Sequence, residues 1–243
     1  IPLSALLGDN VVDASEHTPW YDGPPLLQWL EEFDVEAARA VGGRVHVQRV
    51  IRPQGGEFAD FRGYAGVLTG GRLAVGDAVV VMPAGLRTTV SALHRAARPV
   101  DVADDGHALV VELADRVDVA RGDVLVAIDS PVPPTVGEIV EADVCWMIDQ
   151  PLVVGSRLWF KHGSRTGRAV VTELHHRYDL VSLDHEPVSE LVLNDLGRIT
   201  VRLSEPIVAD RYADNPAGGR LILIDEATNS TAGAAMLVST SAG

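Results

Sequence analysis

Short apolar runs rich in valine follow one another after residue 44, separated by turn sequences such as Gly-Asp, Pro-Ala-Gly and Asp-Asp-Gly. Runs of this kind between turns are typical of strands. Their regular spacing, with no helical pattern between them, predicts closed antiparallel barrels or sandwiches. The predicted strands form two series, 45–51, 78–82, 86–94, 107–113 and 124–128, and then 138–148, 156–161, 166–174, 188–193, 198–203 and 220–224.

A helical pattern occurs near the start of the chain. Leu26, Leu27, Leu30 and Phe33 recur at helical spacing, and the two prolines before them suit a first helical turn. The sequence therefore predicts one short helix ahead of the strands.

Three stretches indicate domain limits. Residues 35–43 are rich in small side chains, and 239–243 resemble a linker. Residues 130–135 are proline-rich and therefore stiff, because each proline fixes its own backbone and biases its predecessor toward extended geometry. The predicted division is 1–43, a first barrel at 44–132, a second barrel at 133–238, and a tail or linker at 239–243.

Charge and composition narrow the classes of function. The 243 residues include 34 acidic and 20 basic side chains, a net charge of −14. Such a charge repels phosphate backbones and anionic lipids, so it argues against a general nucleic-acid or membrane-surface binder. The single cysteine, Cys145, provides neither a disulfide nor a thiolate cluster for a metal. With no signal peptide and no apolar run near the roughly 20 residues of a spanning helix, the predicted location is the cytoplasm.

No pattern of residues predicts catalysis. The phosphate-binding sequence GxxxxGK[ST] is absent. The glycine-rich run 62–77 opens no helix and is interpreted as hairpin turns with a bulge. His175 and His176 are adjacent, and adjacent side chains of a strand point to opposite faces, so the two cannot chelate one ion together. Neither a catalytic residue nor a metal site is predicted.

Several motifs resemble the elongation factor Tu and 1-alpha superfamily of GTPases. The first six residues and Gly8-Asp9-Asn10 are similar to the end of its GTP-binding domain. The resemblance implies an all-β fold of two consecutive antiparallel β-barrels, of the translation-factor domain II and III type, after a short helical remnant of a GTPase domain. The motifs similar to those two domains are Gly71-Arg72-Leu73, Val75-Gly76-Asp77, Arg121-Gly122-Asp123, Leu193-Asn194-Asp195-Leu196-Gly197-Arg198 and Asp210-Arg211-Tyr212.

The same resemblance implies a nucleotide contact at the start of the chain. In the superfamily a Ser-Ala element contacts the guanine oxygen through its backbone, and Ser4, Ala5 and Leu6 occupy that position here. The phosphate loop, the magnesium-binding motif and the main guanine motif would lie before residue 1. We therefore expect GTP and magnesium as cofactors of a full-length subunit, and no cofactor and no activity for this chain alone.

Residues 52–66 are similar to the large GTPase subunit family of heterodimeric sulfate adenylyltransferase. The resemblance implies that GTP hydrolysis is coupled to the formation of adenosine 5′-phosphosulfate from ATP and sulfate. Adenylyl transfer itself belongs to a smaller partner subunit, and some members carry a fused adenylylsulfate kinase, which the linker-like tail leaves open.

The same segment is predicted to bind the adenylyltransferase partner. Asp60, Arg62 and Tyr64 alternate along an expected strand edge and would share one face, and Arg52 precedes them. The alternative is that Asp60 and Arg62 pair within a hairpin while Tyr64 covers the barrel rim.

Two other functions remain open from the sequence. A translation-type GTPase whose barrels hold aminoacyl-tRNA would share the fold, although RNA binding calls for a basic surface. A stand-alone barrel module with a scaffolding role is the third, and the partial nucleotide motif at the start argues against it.

Overall fold

A computed structural model describes residues 1–33, 41–56, 60–179, 182 and 184–242. The chain divides into two compact units, residues 1–37 and 38–243. Residue 34, residues 35–40 of the predicted linker, residues 57–59 of the predicted partner-binding segment and residue 243 of the predicted tail lie outside the described residues.

The first unit contains the predicted helix, α1 (Leu26–Glu32). The amides of Leu26 and Leu27 donate to the carbonyls of Asn10 and Val11, at 2.9 Å each, which ties the first turn to the preceding loop. None of the helix side chains is buried, and Leu30 is 55% exposed. The helix therefore keeps an exposed apolar face.

The first barrel closes in the strand order β4, β9, β1, β2, β8, β5 and back to β4, all antiparallel. Its interior is filled by valine and leucine side chains, together with Tyr64. The strands of this half are β1 (Arg44–Ile51), β2 (Gly63–Thr69), β3 (Leu73–Ala74), β4 (Ala78–Met82), β5 (Leu86–Arg95), β6 (Arg98–Val100), β7 (Val102–Ala103), β8 (Ala108–Leu113) and β9 (Val124–Ala127).

The second barrel closes in the same way, in the order β12, β17, β18, β10, β16, β13 and back to β12. Trp146 and Phe160 are among its buried side chains. Its strands are β10 (Thr135–Trp146), β11 (Leu152–Val153), β12 (Arg157–His162), β13 (Arg165–Tyr178), β14 (His185–Glu186), β15 (Glu190–Leu191), β16 (Leu196–Ala209), β17 (Arg220–Ile224) and β18 (Thr231–Ser241). The predicted all-β fold of two closed antiparallel barrels is thus confirmed.

Strands β2 and β18 are the longest strands that the sequence prediction lacks, and the short strands β3, β6, β7, β11 and β14 were not predicted either. The glycine-rich run forms strand β2 over 63–69, and the irregularity lies opposite it, in β1 between Val47 and Arg49. Strand β18 was not predicted, and it continues to Ser241, past the predicted start of the tail at 239. The reason is pairing, because residues 239–241 lie in register with 139–141 of β10.

A buried ion pair joins the two barrels. The Nε of Arg44 lies 3.0 Å from Oδ1 of Asp210, and the two side chains are 1% and 3% exposed. The same guanidinium donates to the carbonyls of Val41 at 3.0 Å, Gly42 at 2.6 Å and Val132. One side chain of the first barrel therefore holds the second barrel and both connecting segments.

Further contacts support this junction. Arg165 of β13 lies 3.2 Å from Asp123 of the first barrel and 3.1 Å from Glu205 of the second. Beside it, apolar side chains of both barrels form one cluster, Val124, Val126 and Val208. The barrels therefore form a continuous body rather than two loosely linked domains.

A pair of histidines lies at the same junction. The rings of His46 and His162 are 6.2 Å apart, and Nε2 of His46 is buried without a hydrogen-bond partner among the described residues. Burial, reinforced by the charges of His162, Arg44 and Arg220, lowers the pKa of His46 to about 4. The folded protein therefore holds His46 neutral.

Replacing Arg44 by methionine should lower the free energy of unfolding by about 3–5 kcal/mol, because Asp210 would stay buried without its cation. Urea denaturation measures this loss, and Arg87→Met, at an exposed arginine of β5, is the matched control. A loss below about 1 kcal/mol for Arg44→Met would show that the pair does not hold the junction.

Acid should destabilise the fold through His46. His46 is protonated near pH 6.5 in the unfolded chain but only near pH 4 in the folded chain. The free energy of unfolding that depends on neutral His46 is therefore fully present above pH 6.5 and is lost as the pH falls toward 4. The expected loss is about 3 kcal/mol. His46→Gln should remove that part of the pH dependence in urea titrations at pH 7 and 4.5, whereas the exposed-site variant His175→Gln should keep it.

Candidate functional site

The predicted guanine-contacting residues form one tight turn of the first unit. Ser4 pairs with Asp9 as a β-bridge, and its carbonyl accepts the amide of Gly8 at 2.8 Å. Its Oγ accepts the amide of Leu7 at 3.3 Å. The amides of Ala5 and Leu6 have no hydrogen-bond acceptor within the described residues, so the turn presents two free donors.

Two polar residues fix the shape of this turn. The buried Asn10 donates from Nδ2 to the carbonyl of Pro2 and to Oγ1 of Thr18, at 2.7 Å each. Oδ1 of Asp9 accepts from Ser15 Oγ at 2.6 Å and lies 2.9 Å from Nδ1 of His17. These contacts hold the pKa of the Asp9 carboxyl below its ordinary value, and the hydrogen bond from Ser15 has the largest effect. The turn is therefore preorganised by its own unit.

The four residues predicted to bind a partner line one polar cleft of the first barrel. Arg52, Asp60, Arg62 and Tyr64 surround a volume of about 210 Å³. Arg116, which the sequence reasoning did not single out, lies on the same cleft. We call this the arginine cleft.

Tyr64 has a different place from the one expected. Strand β2 begins at Gly63, so Asp60 and Arg62 precede it and only Tyr64 follows its alternation. Tyr64 is 1% exposed and belongs to the barrel core, and burial raises its pKa. The guanidinium of Arg62 lies over its ring, 5.8 Å from the centroid. Tyr64 therefore supports Arg62 from below instead of facing a partner itself.

The arginines of this cleft form no ion pair within the described residues, although Asp60, Glu112 and Asp115 line the cleft with them. Of the neighbouring acids, Asp115 accepts from Thr88 Oγ1 at 2.9 Å and Glu112 contacts His94 at 2.6 Å. The arginine cleft is thus a group of available cationic donors on a chain of net charge −14.

A larger apolar groove adjoins it, with a volume of about 890 Å³. Phe61 and Glu112 line both the groove and the arginine cleft. The groove was missed by sequence reasoning, although apolar residues at successive outward positions of β2 and β8 could have signalled it. Its walls include Ala65, Val67, Ala96, Ala97, Ala108 and Val110.

Comparison with known proteins finds similar sequences. Residues 139–238 match the family described as GTP-eEF1A C-terminal domain-like. The chain is 38% identical over 238 residues to sulfate adenylyltransferase subunit 1 of Laribacter hongkongensis (strain HLHK9). The alignment covers 98% of this chain and 48% of the relative, so the chain is similar along almost its whole length to about half of a sulfate adenylyltransferase subunit 1.

The fold is also found in solved structures. Crystal structures of sup35 complexed with GDP and with GMPPNP each superpose with a TM-score of 0.72. Their sequences are 19% and 20% identical to this chain. Each superposition includes 99% of this chain and 58% of the sup35 chain. At this identity the likeness shows the fold alone.

The described residues were also compared with the requirements of a membrane span and of a metal site. Among these residues, no helix is long and apolar enough to cross a bilayer. No group of three or more His, Cys, Asp or Glu side chains in the described ranges is arranged to hold a metal ion. His175 contacts Thr200 at 2.8 Å, while His176 stacks on His185.

The burial of Tyr64 predicts that two substitutions at this position differ in their effect on stability. Tyr64→Ala should lower the free energy of unfolding by about 3–5 kcal/mol, because it removes a buried ring. Tyr64→Phe should cost about 1 kcal/mol, since it keeps the buried ring and loses only the hydroxyl's contacts with the Val117 carbonyl, at 3.5 Å, and with Arg62. Urea denaturation compares the two, and equal stability of Tyr64→Ala and wild type would show that the ring is not part of the core.

Proposed function

We propose that this chain is the barrel portion of a GTP-dependent sulfate adenylyltransferase large subunit. In the full-length protein, GTP hydrolysis would drive the reaction of ATP with sulfate to adenosine 5′-phosphosulfate and pyrophosphate. The observation that carries the proposal is the 38% identity extending over 98% of the chain, which includes both barrels. Adenylyl transfer would take place on a smaller partner subunit.

The role of the barrels in this proposal is mechanical. Domain rotation transmits a change between sites only if the moving part keeps its shape. The buried Arg44–Asp210 pair and the Arg165 contacts give the two barrels one fixed arrangement. A conformational change in the GTPase domain would therefore reach the partner through both barrels as one body.

The turn of Ser4, Ala5 and Leu6 fits a guanine contact. The free amides of Ala5 and Leu6 can donate to a carbonyl oxygen, and the contacts of Asp9 and Asn10 hold them in place. Bound GTP with magnesium supplies the free energy of hydrolysis, and the remainder of the nucleotide would be held by the other part of the full-length GTPase domain.

The arginine cleft is the proposed contact with the adenylyltransferase subunit. Arg52 and Arg62 lie on it together with Asp60, and arginine is enriched at binding hot spots. The net charge of −14 favours a protein partner over tRNA. A fused adenylylsulfate kinase is compatible with this proposal and is not required by it.

The full-length subunit co-expressed with its adenylyltransferase partner tests the proposal. Pyrophosphate release from ATP and sulfate should be faster with GTP than with GDP. Arg62→Ala should weaken subunit association about tenfold or more and lower the GTP-stimulated rate, because it removes a cationic hot spot while Tyr64 keeps the core intact.

Arg87→Ala is the matched control, at an exposed arginine of the same barrel outside the cleft. A rate that does not respond to GTP would refute the proposed function. A GTP response with unchanged association of Arg62→Ala would refute only the contact.

A further inference from the structure

The outer surface of the first barrel is apolar where a solvent-facing sheet is ordinarily polar. Along β2, Gly66 and Leu68 face the interior while Ala65 and Val67 face outward. Along β8, Leu109 is buried while Ala108 is exposed. Antiparallel sheets with one solvated face alternate apolar and polar side chains, so apolar residues on both faces mark a contact surface.

The hairpin turn that forms one wall of the groove has alanines at two positions where a side chain strains the backbone. Ala96 and Ala97 link β5 to β6 as a two-residue turn, with φ of 48° and 61°. Two positive φ values define the turn type that favours Asn-Gly, since side chains with a Cβ are disfavoured there. Both alanines line the groove. Strain of this kind persists where the surrounding structure uses it, and here it places two methyl groups on the groove wall.

The groove continues into the arginine cleft. Phe61 and Glu112 are common to both, so an occupant of the groove also reaches Arg52, Arg62 and Arg116. Asp60, Glu112 and Asp115 line the cleft with them, but within the described residues no carboxylate forms an ion pair with Arg52, Arg62 or Arg116. Glu112 instead contacts His94 at 2.6 Å. The combined surface therefore offers apolar contact at one end and cationic donors at the other.

We propose that the groove and the arginine cleft together receive one segment of the adenylyltransferase subunit that carries a carboxylate next to large apolar side chains. The inference rests on the proposed function for the identity of the partner. The carboxylate would accept hydrogen bonds from the arginines, because a guanidinium matches a carboxylate in a two-pronged geometry. The apolar side chains would fill the space above Ala65, Ala96 and Ala108.

An RNA end fits this surface less well. Its successive phosphates would bring several negative charges close to Asp60, Asp115 and Glu112, which line the same cleft, whereas a protein segment can bring a single carboxylate. A strand of phosphates also needs an extended basic path, whereas the three arginines are confined to about 210 Å³. A single carboxylate therefore fits this small cleft better than a strand of phosphates.

The test uses the full-length heterodimer. Ala108→Arg places a charged side chain in the groove, and Ala78→Arg places the same side chain at an exposed, strand-initial alanine of the same barrel outside it. Sedimentation should show the dissociation constant raised about tenfold or more for Ala108→Arg and changed less than about twofold for Ala78→Arg. Arg116→Glu should weaken association by a similar factor, and more strongly at low salt.

Amide exchange of the wild-type subunit keeps the inference testable should Ala108→Arg fail to fold. Partner addition should protect residues 65–67 and 108–110. Unchanged association of both Ala108→Arg and Arg116→Glu, or no protection of those residues, overturns the inference while leaving a GTP-stimulated heterodimer, and so the proposed function, intact. Loss of single-stranded RNA binding by Ala108→Arg with normal partner association also overturns it. If no heterodimer forms, the inference and the proposed function fail together.

Discussion

The arrangement of the barrels depends on one buried charge pair. Arg44 is the first residue of β1, and Asp210 directly follows β16, so the pair links the starting strand of one barrel to a long strand of the other. Removing two charges from water is costly, and burial raises the pKa of Asp210 even beside the guanidinium. The cost is offset because Arg44 also donates to three carbonyls and Asn215 donates to Asp210 at 2.7 Å. These contacts come from both barrels and from the segments that connect them, so they hold the barrels in the arrangement described here.

The apolar contact surface lies on the outside of the first barrel. Valine, leucine and aromatic side chains fill both interiors, and the junction holds ion pairs, the Val124–Val126–Val208 cluster and a cavity of about 410 Å³. The apolar groove of about 890 Å³ lies on the outward face of β2 and β8. In a protein that acts by moving as one body, contact residues on a rigid wall transmit displacement better than residues on loops.

The pattern of apolar residues predicted the strands that are rich in valine but not the strands that are rich in small residues. Strand β1 was predicted within one residue, because its valines lie between clear turn signals. Strand β18 contains Thr231-Ala-Gly-Ala-Ala and has low intrinsic β-propensity, yet it is central because β10 and β17 pair with its two edges. Strand β2 is glycine-rich for a tertiary reason, since a Cβ at Gly66 would lie 2.3 Å from the carbonyl oxygen of His46.

In the candidate site, too, the sequence predicted which residues lie together but not the direction of each side chain. Family resemblance located Arg52, Asp60, Arg62 and Tyr64, and the structure gathers them on one cleft. The direction of each side chain depends on where β2 begins, and a start at Gly63 turns Tyr64 inward. The place of Arg116 in the cleft could not be predicted from the sequence, because it depends on the pairing of β8 with β2.

The inward turn of Tyr64 has a functional consequence. A free arginine on a loop loses much side-chain entropy when it binds, whereas Arg62 already lies against a fixed ring. Part of the ordering has therefore occurred before any partner arrives, which favours tight contact from few residues. The core residue that the sequence assigned to the interface thus contributes to it indirectly, by holding the cation that would make the contact.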